Sequence, residues 1–278
     1  MLPPILIEPL KIEHVTVAIA NLPERLQGMI VVQLSDFHFD GRSLALKVLR
    51  EAIARCHDLA PDLIVLTGDF ITDEAQDIDG LTPYLQELHS PNGIYAILGN
   101  HDNFYPHSRS RVTAGLESVG IHTLWNDIAC PLGVDFPLVG LADFYSRDFV
   151  PATIFQQLDP QLPRLVLSHN PDSVVALQQY RADLVLSGHT HGGQVILPWG
   201  PAPALLQQWG AVVPKWMRPF LPFLKQDCDR IFRNWQWSAG LHQVGATQLY
   251  VNRGLGSYFP GRWRCPPELT VIHLVGEP

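Results

Sequence analysis

Five short runs of this 278-residue chain carry side chains that bind cations. They are Asp36-Phe37-His38, Gly68-Asp69, Gly99-Asn100-His101-Asp102, Ser168-His169-Asn170 and Gly188-His189-Thr190-His191, and they hold five of the 12 histidines. Imidazole nitrogens mixed with carboxylate and amide oxygens suit borderline cations such as Mn²⁺, Fe²⁺ or Zn²⁺ better than a carboxylate-rich Mg²⁺ site. No cysteine lies in these runs, which argues against a structural zinc site. A single histidine or aspartate where a strand ends is ordinarily a cap or a hydrogen-bonded core group. Seven in this order (Asp36, His38, Asp69, Asn100, His169, His189 and His191) are too many for one catalytic ion that keeps an open position. They fit two ions that share a bridging carboxylate.

Such a set needs elements that deliver it to one place. The apolar runs 29–34, 63–66, 93–98, 165–167 and 184–186 read as buried strands, and each ends in one of the five runs. Residues 44–59 read as a helix with Leu46, Leu49, Ile53 and Cys56 on one face, stopped by Pro61, and 81–88 as a shorter helix. Further strands are expected at 248–252 and 268–275. Strands alternating with helices predict an α/β fold. In sheets buried on both faces, ligand sites form beyond the carboxyl ends of the strands, so the five loops are expected to converge.

The order D-x-H, G-D, G-N-H-D, H, G-H-x-H over residues 29 to 195 resembles the calcineurin-like metallophosphoesterases. The resemblance implies two packed mixed β-sheets flanked by helices, with the metals at their carboxyl-end loops. It implies that Asp36, His38, Asp69 and His191 hold one divalent ion and that Asp69, Asn100, His169 and His189 hold the other. Mn²⁺ is the first expectation, with Fe²⁺ or Zn²⁺ as alternatives. His101 would be the catalytic histidine, oriented by Asp102. Two such ions clamp a phosphate and lower the pKa of a shared water, which makes the implied reaction hydrolysis of a phosphoester or pyrophosphate bond. A non-catalytic scaffold of the same fold would be expected to lose ligands; every motif residue is present here.

The blocks at 28–41, 188–195, 249–256 and 264–270 extend the likeness to a bacterial subfamily related to a transmembrane protein with a metallophosphoesterase domain. That subfamily includes phosphodiesterases of the cell envelope and enzymes similar to the UDP-2,3-diacylglucosamine pyrophosphatases of lipid A biosynthesis. This implies a phosphorylated small-molecule or lipid-linked substrate, with a general phosphodiesterase or phosphatase on a soluble or envelope substrate as the alternative. Arg253, Arg262 and Arg264 lie in the closing blocks, where guanidinium forks suit phosphate oxygens; ordinary surface arginine is the alternative.

The composition sets the remaining bounds. With 46% hydrophobic and 17% charged residues the chain can build a sizeable core. A net charge of −8 disfavours a dedicated nucleic-acid binder. Four cysteines without a CxxC pair read as free thiols of a reducing compartment. The opening residues lack the basic and apolar regions of a signal peptide, and the apolar stretch 197–213 is broken by prolines and glycines. The expectation is a cytoplasmic protein with one domain over 1–278. Residues 198–240 read as an insertion in it: they contain five of the seven tryptophans and six prolines, and their charges sum to +3. Such a segment suits either a cap packed on the domain or a flap that meets a membrane surface peripherally.

Overall fold

The computed structural model describes residues 4–212 and 232–277, with side chains from 208 to 212 excepted. The first half of the chain runs β1 (Lys11–Ile19), β2 (Ile30–Leu34), α1 (Leu46–Leu59), β3 (Leu63–Leu66), α2 (Ile78–Leu85), β4 (Ile94–Ile97), α3 (Ser108–Ser118) and β5 (Ile121–Leu124). The second half continues with β6 (Asp127–Ala129), β7 (Leu138–Gly140), α4 (Pro151–Phe155), β8 (Leu165–Leu167), α5 (Val174–Leu177) and β9 (Leu184–Ser187). A small hairpin, β10 (Ile196–Leu197) and β11 (Gly200–Pro201), leads into α6 (Ala202–Val212). The chain then returns as β12 (Gly240–Val244), β13 (Thr247–Val251) and β14 (Glu268–Gly276).

The strands form two mixed six-stranded sheets. The first has the order β1-β14-β2-β3-β4-β5, with β14 antiparallel to β2 and the remaining neighbours parallel. The second has the order β12-β13-β9-β8-β7-β6, parallel from β13 to β7 and closed at each edge by an antiparallel partner. Side-chain alternation on the central strands explains the layering. Leu63 and Val65 of β3 join Leu165, Leu167, Leu184 and Leu186 in the core between the sheets. Ile64 and Leu66 point the other way, into a second core with α1, α2 and α3. Val166 and Val185 face a third, under α4 and α5. Strands covered on both faces must be apolar throughout, so their polar residues collect where they end.

Two helices differ in detail from the sequence expectation. The buried face of α1 is Val48, Leu49, Ala52, Ile53 and Cys56, while Leu46, at its first position, is exposed. The helix expected at 81–88 occupies Ile78–Leu85 and includes Gly80. Ile78, Leu81 and Leu85 face the core, and the ring of Phe39 lies where a side chain at position 80 would project.

Candidate active site

The five loops leave the carboxyl ends of β2, β3, β4, β8 and β9, which lie next to one another in their two sheets and end on a common rim. Ladder bonding continues into the loops: Asp36 N–H donates to Gly68 O and His38 N–H to Asp69 O, at 2.9 and 3.0 Å. Asp36, His38, Asp69, His189 and His191 all adopt positive φ between 46° and 71°. Left-handed backbone is costly for such residues and gathers where function requires it. Here the reversed backbone turns five polar side chains inward, and all five are buried.

Glycine makes the convergence sterically possible. A Cβ at Gly188 would overlap Ser35 Oγ and the Asp36 carboxylate, and one at Gly99 would overlap the Asp69 carboxylate.

The inward side chains form overlapping groups: Asp36, His38 and His191; His38, Asp69 and His101; Asp69, His169 and His189. Within each group the donor atoms lie within 4.8 Å of one another. His38 Nε2 is 3.0 Å from His191 Nε2, and His169 Nε2 is 3.2 Å from His189 Nδ1. One Asp69 oxygen lies 3.4 Å from His38 Nε2 and 3.1 Å from His169 Nε2. Asn100 Oδ1 is buried with no hydrogen-bond partner. A buried, orphaned amide oxygen on the loop whose His101 N–H donates to Asp69 is costly as a bare protein interior, and with the facing imidazoles and carboxylates it suits a cation-binding cradle.

Burial governs protonation at the site. It holds His38 and His191 well below the usual imidazole range, so each ring is neutral and presents a lone pair on one of its nitrogens. It raises Asp36 to about 6. Burial also works against charge on His169, but the Asp69 carboxylate overrides it and pushes His169 up to about 10. Asp69 is in turn held well below the carboxylate range: burial opposes this, and the imidazoles of His169 and His101 prevail.

A calcineurin-like phosphoesterase family model matches residues 29–193, the span that carries all five loops. The chain belongs to that family. Its relatives include the UDP-2,3-diacylglucosamine pyrophosphatase LpxG of Chlamydia trachomatis serovar D, 29% identical over 93% of this chain and 88% of that protein. They also include the phosphodiesterase YaeI of Escherichia coli K12, 32% identical over 88% of this chain and 82% of that one. Among solved structures, TT1561 of Thermus thermophilus superposes with a TM-score of 0.50 at 11% identity, over 82% of this chain and 91% of that one, which is a likeness of fold. The chain is therefore a metallophosphoesterase, a hydrolase built on two packed mixed sheets flanked by helices.

Several side chains do something other than what the sequence suggested for this phosphoesterase. Asp102 does not orient the His101 imidazole. Its carboxylate accepts from the N–H groups of Phe70, Ile71 and Gly99, at 2.8, 3.2 and 2.9 Å, and so fastens the Asp69 loop to the Asn100 loop. The orienting group is the Thr72 carbonyl, 2.6 Å from His101 Nδ1. Arg262 does not face a substrate phosphate. It is 1% exposed, and its guanidinium donates to Ser257 Oγ and to the carbonyls of Arg253, Gly254, Gly256, Cys265 and His191. With five N–H donors for six oxygens, one donor being shared, the guanidinium ties the 253–265 connection to the His191 loop. Arg253 is paired with Glu13 and Glu268. Arg264 is exposed.

The segment 198–240, read from the sequence as an insertion, is tied to the same loops at its returning end. Asp172, three residues after His169, accepts from Arg233 N–H, Asn234 N–H and Asn234 Nδ2, and Thr190 Oγ1 donates to Ser238 O. Phe232 is fully buried and Trp237 packs on the third core, whereas Trp199 is 82% exposed. The described parts of this segment thus include packing as well as exposed surface. Residues 213–231, with Trp216 and most of the segment's charges, lie outside the described residues, as does the Trp209 side chain.

Sequence reasoning missed Tyr258. Its hydroxyl is 2.6 Å from His38 Nδ1 and 3.3 Å from His101 Nε2. Burial, reinforced by Asp69 and Asp36, raises it well above the usual phenol range, so it stays protonated.

Proposed function

We propose that this chain is a two-metal hydrolase of phosphodiester or pyrophosphate bonds. The observation that supports it most is the reach of Asp69, one oxygen of which lies within 3.4 Å of a histidine on either side. In this reading Asp36, His38, Asp69 and His191 hold one cation, and Asp69, Asn100, His169 and His189 hold the other. Mn²⁺ is the first choice, and Fe²⁺ or Zn²⁺ would serve. Bound there, the pair supplies positive charge for phosphoryl oxygens and acidifies a water nucleophile. The protein's own part is positional. Neutral, buried His38 and His191 offer lone pairs without having to lose protons first. The Thr72 carbonyl fixes the Nδ1–H tautomer of His101 and leaves Nε2 on the cluster side. In its protonated form that nitrogen donates to the leaving oxygen.

The substrate we propose is a lipid-linked nucleoside diphosphate of the UDP-2,3-diacylglucosamine type, met by a cytoplasmic enzyme at a membrane surface. Residues 1–278 act as one unit in this reading, with 198–240 as the inserted part. The LpxG relative supports this, as does the set of exposed apolar side chains near the site. Trp199, Phe259 and Trp263 are 82%, 49% and 53% exposed, and Ile5 and Ile7 flank the Leu6–Gly261 bridge. Among the described residues no helix is long and apolar enough to cross a membrane. The YaeI relative favours a second reading, a soluble or envelope phosphodiester.

The test is a rate comparison with added Mn²⁺ on bis-p-nitrophenyl phosphate, p-nitrophenyl phosphate and vesicle-borne UDP-2,3-diacylglucosamine. The lipid substrate and the diester should both be cleaved. Exchanging residues 213–231 for a Gly/Ser linker should lower vesicle co-sedimentation and lipid turnover while sparing the soluble diester. Cleavage of the diester with no cleavage of the lipid substrate would select the second reading, and cleavage of the monoester alone would contradict both.

A further inference from the structure

The connection between β13 and β14, residues 252–267, carries none of the seven candidate ligands, yet it lies against three of them. Leu255 N–H donates to Ser35 O at 3.0 Å and Gly256 N–H to Asp36 O at 2.7 Å. The approach at Gly256 is close: a Cβ there would stand 2.6 Å from Phe37 O, 2.9 Å from Asp36 O and 3.0 Å from His38 Cβ. The carbonyl of the same glycine faces His191, whose Nδ1 lies 3.4 Å from it. One residue thus meets the Asp36–His38 segment with its backbone and the His191 ring with its oxygen.

Arg262 holds that glycine in place. Its buried guanidinium donates to Gly256 O at 2.5 Å, and to Ser257 Oγ, Arg253 O and Gly254 O at 2.8, 2.7 and 3.0 Å. Gly256 O therefore takes one donor from Arg262 and one from His191, which its two lone pairs allow. The nitrogens of His191 have different surroundings. Nε2 lies 3.0 Å from His38 Nε2 and 3.4 Å from an Asp36 oxygen, on the cluster side. A cation served by Nε2 leaves the proton on Nδ1, with Gly256 O as its acceptor, the arrangement that orients ligand histidines generally. The second proposed ion is supported from elsewhere. His169 Nδ1 lies 2.7 Å from Thr67 O, just past β3, and Asn100 follows Gly99, whose N–H is held by Asp102.

We infer that Arg262 is a positioning residue for one of the two ions, the one assigned to Asp36, His38, Asp69 and His191. It acts through Gly256, fixing the carbonyl that orients His191 and the N–H that meets Asp36. The inference rests on the proposed two-metal reading. It goes beyond that reading by making the two ions unequal: a buried guanidinium on a connection without ligands sets the affinity of one and not of the other.

Arg262→Lys keeps the charge but replaces the planar fork with a single ammonium, which cannot hold Ser257 Oγ and the three carbonyls together. In the full chain, calorimetric titration with Mn²⁺ should show affinity for one ion reduced about 10–100-fold, the range for loss of an outer partner of a ligand, and the other ion at its wild-type affinity. Electron paramagnetic resonance supplies a second readout: at subsaturating Mn²⁺ the wild-type chain should give the spectrum of a coupled pair and the variant that of an isolated ion. Gly256→Ala leaves the guanidinium intact and forces position 256 away from Asp36 and Phe37, so it should produce the same one-sided loss. Wild-type affinities in both variants overturn the inference, and so does an equal loss at both ions. If Arg262→Lys gives no cooperative melt, Gly256→Ala decides alone. No cooperative melt in either also overturns it, because the connection then supports the whole fold and not one ion. Failure of the wild-type chain to bind two Mn²⁺ would instead refute the reading beneath it.

Discussion

Asp102→Asn separates two accounts of the Gly99-Asn100-His101-Asp102 loop. In the structure the Asp102 carboxylate holds three backbone N–H groups, from Phe70, Ile71 and Gly99, and the His101 imidazole is held by the Thr72 carbonyl. Asparagine keeps one oxygen and replaces the other with a donor. With its oxygen on Phe70 and Ile71, its NH₂ faces the Gly99 N–H, and that donor is stranded in a buried site. A stranded buried donor costs about 1–3 kcal/mol. A domain near this size loses about 2–4 °C of Tm per kcal/mol, so Tm should fall by about 2–12 °C. Gly99 directly precedes Asn100, so Mn²⁺ affinity should fall with it. The His101 ring keeps Thr72, and turnover at saturating Mn²⁺ should drop far less than the roughly 10²–10⁴-fold that follows loss of an acid–base group. Scanning calorimetry with steady-state rates on bis-p-nitrophenyl phosphate decides the matter. Wild-type Tm together with a turnover loss of that larger size would refute the backbone clamp and restore Asp102 as the orienting group.

Other expected outcomes follow from the same geometry. His101→Ala should retain about two Mn²⁺ while turnover falls roughly 10²–10⁴-fold; metal analysis showing a matching loss of ions would make His101 a ligand. Gly188→Ala places a methyl group against Ser35 and the Asp36 carboxylate, and overpacking of this kind costs about 1–3 kcal/mol. Its Tm and Mn²⁺ affinity should both drop, and unchanged values would refute the close approach. Burial pushes the Cys56 thiol up to about 12 and raises Cys265 as well, whereas Cys130 is exposed. Because thiolate is the reactive form, a thiol reagent at pH 8 should label Cys130 well before Cys56 or Cys265 in the folded chain. Peptide mass spectrometry showing early modification of Cys56 would contradict this.

What the sequence disclosed and what it concealed divide along physical lines. β3 and β8 span Leu63–Leu66 and Leu165–Leu167, the bounds that the apolar runs predict, because strands covered on both faces must be apolar from end to end. β1 and β6 gave no such signal: β1 is half-exposed over much of its length, and β6 is an edge strand that opens on the exposed Asp127. The loops that carry the seven candidate ligands were legible because imidazole, carboxylate and amide at strand ends are a restricted vocabulary, and the structure brings those loops to one rim. The parts played by Asp102 and Arg262 were not legible, since each depends on which backbone groups fold against it. Nothing in the type or spacing of Tyr258 marks it either. Its proximity to His38 exists only after β13 and β14 have joined different sheets.

In the two-metal reading Asp69 serves two cations at once. Metal content per chain, measured by inductively coupled plasma mass spectrometry after Mn²⁺ loading and desalting, tests it most directly when wild type and Asp69→Asn are compared alongside their rates on bis-p-nitrophenyl phosphate. About two ions are expected in wild type, and in Asp69→Asn a loss of bound metal together with loss of hydrolysis. A single ion in wild type, or unchanged metal content with full activity in Asp69→Asn, would contradict it.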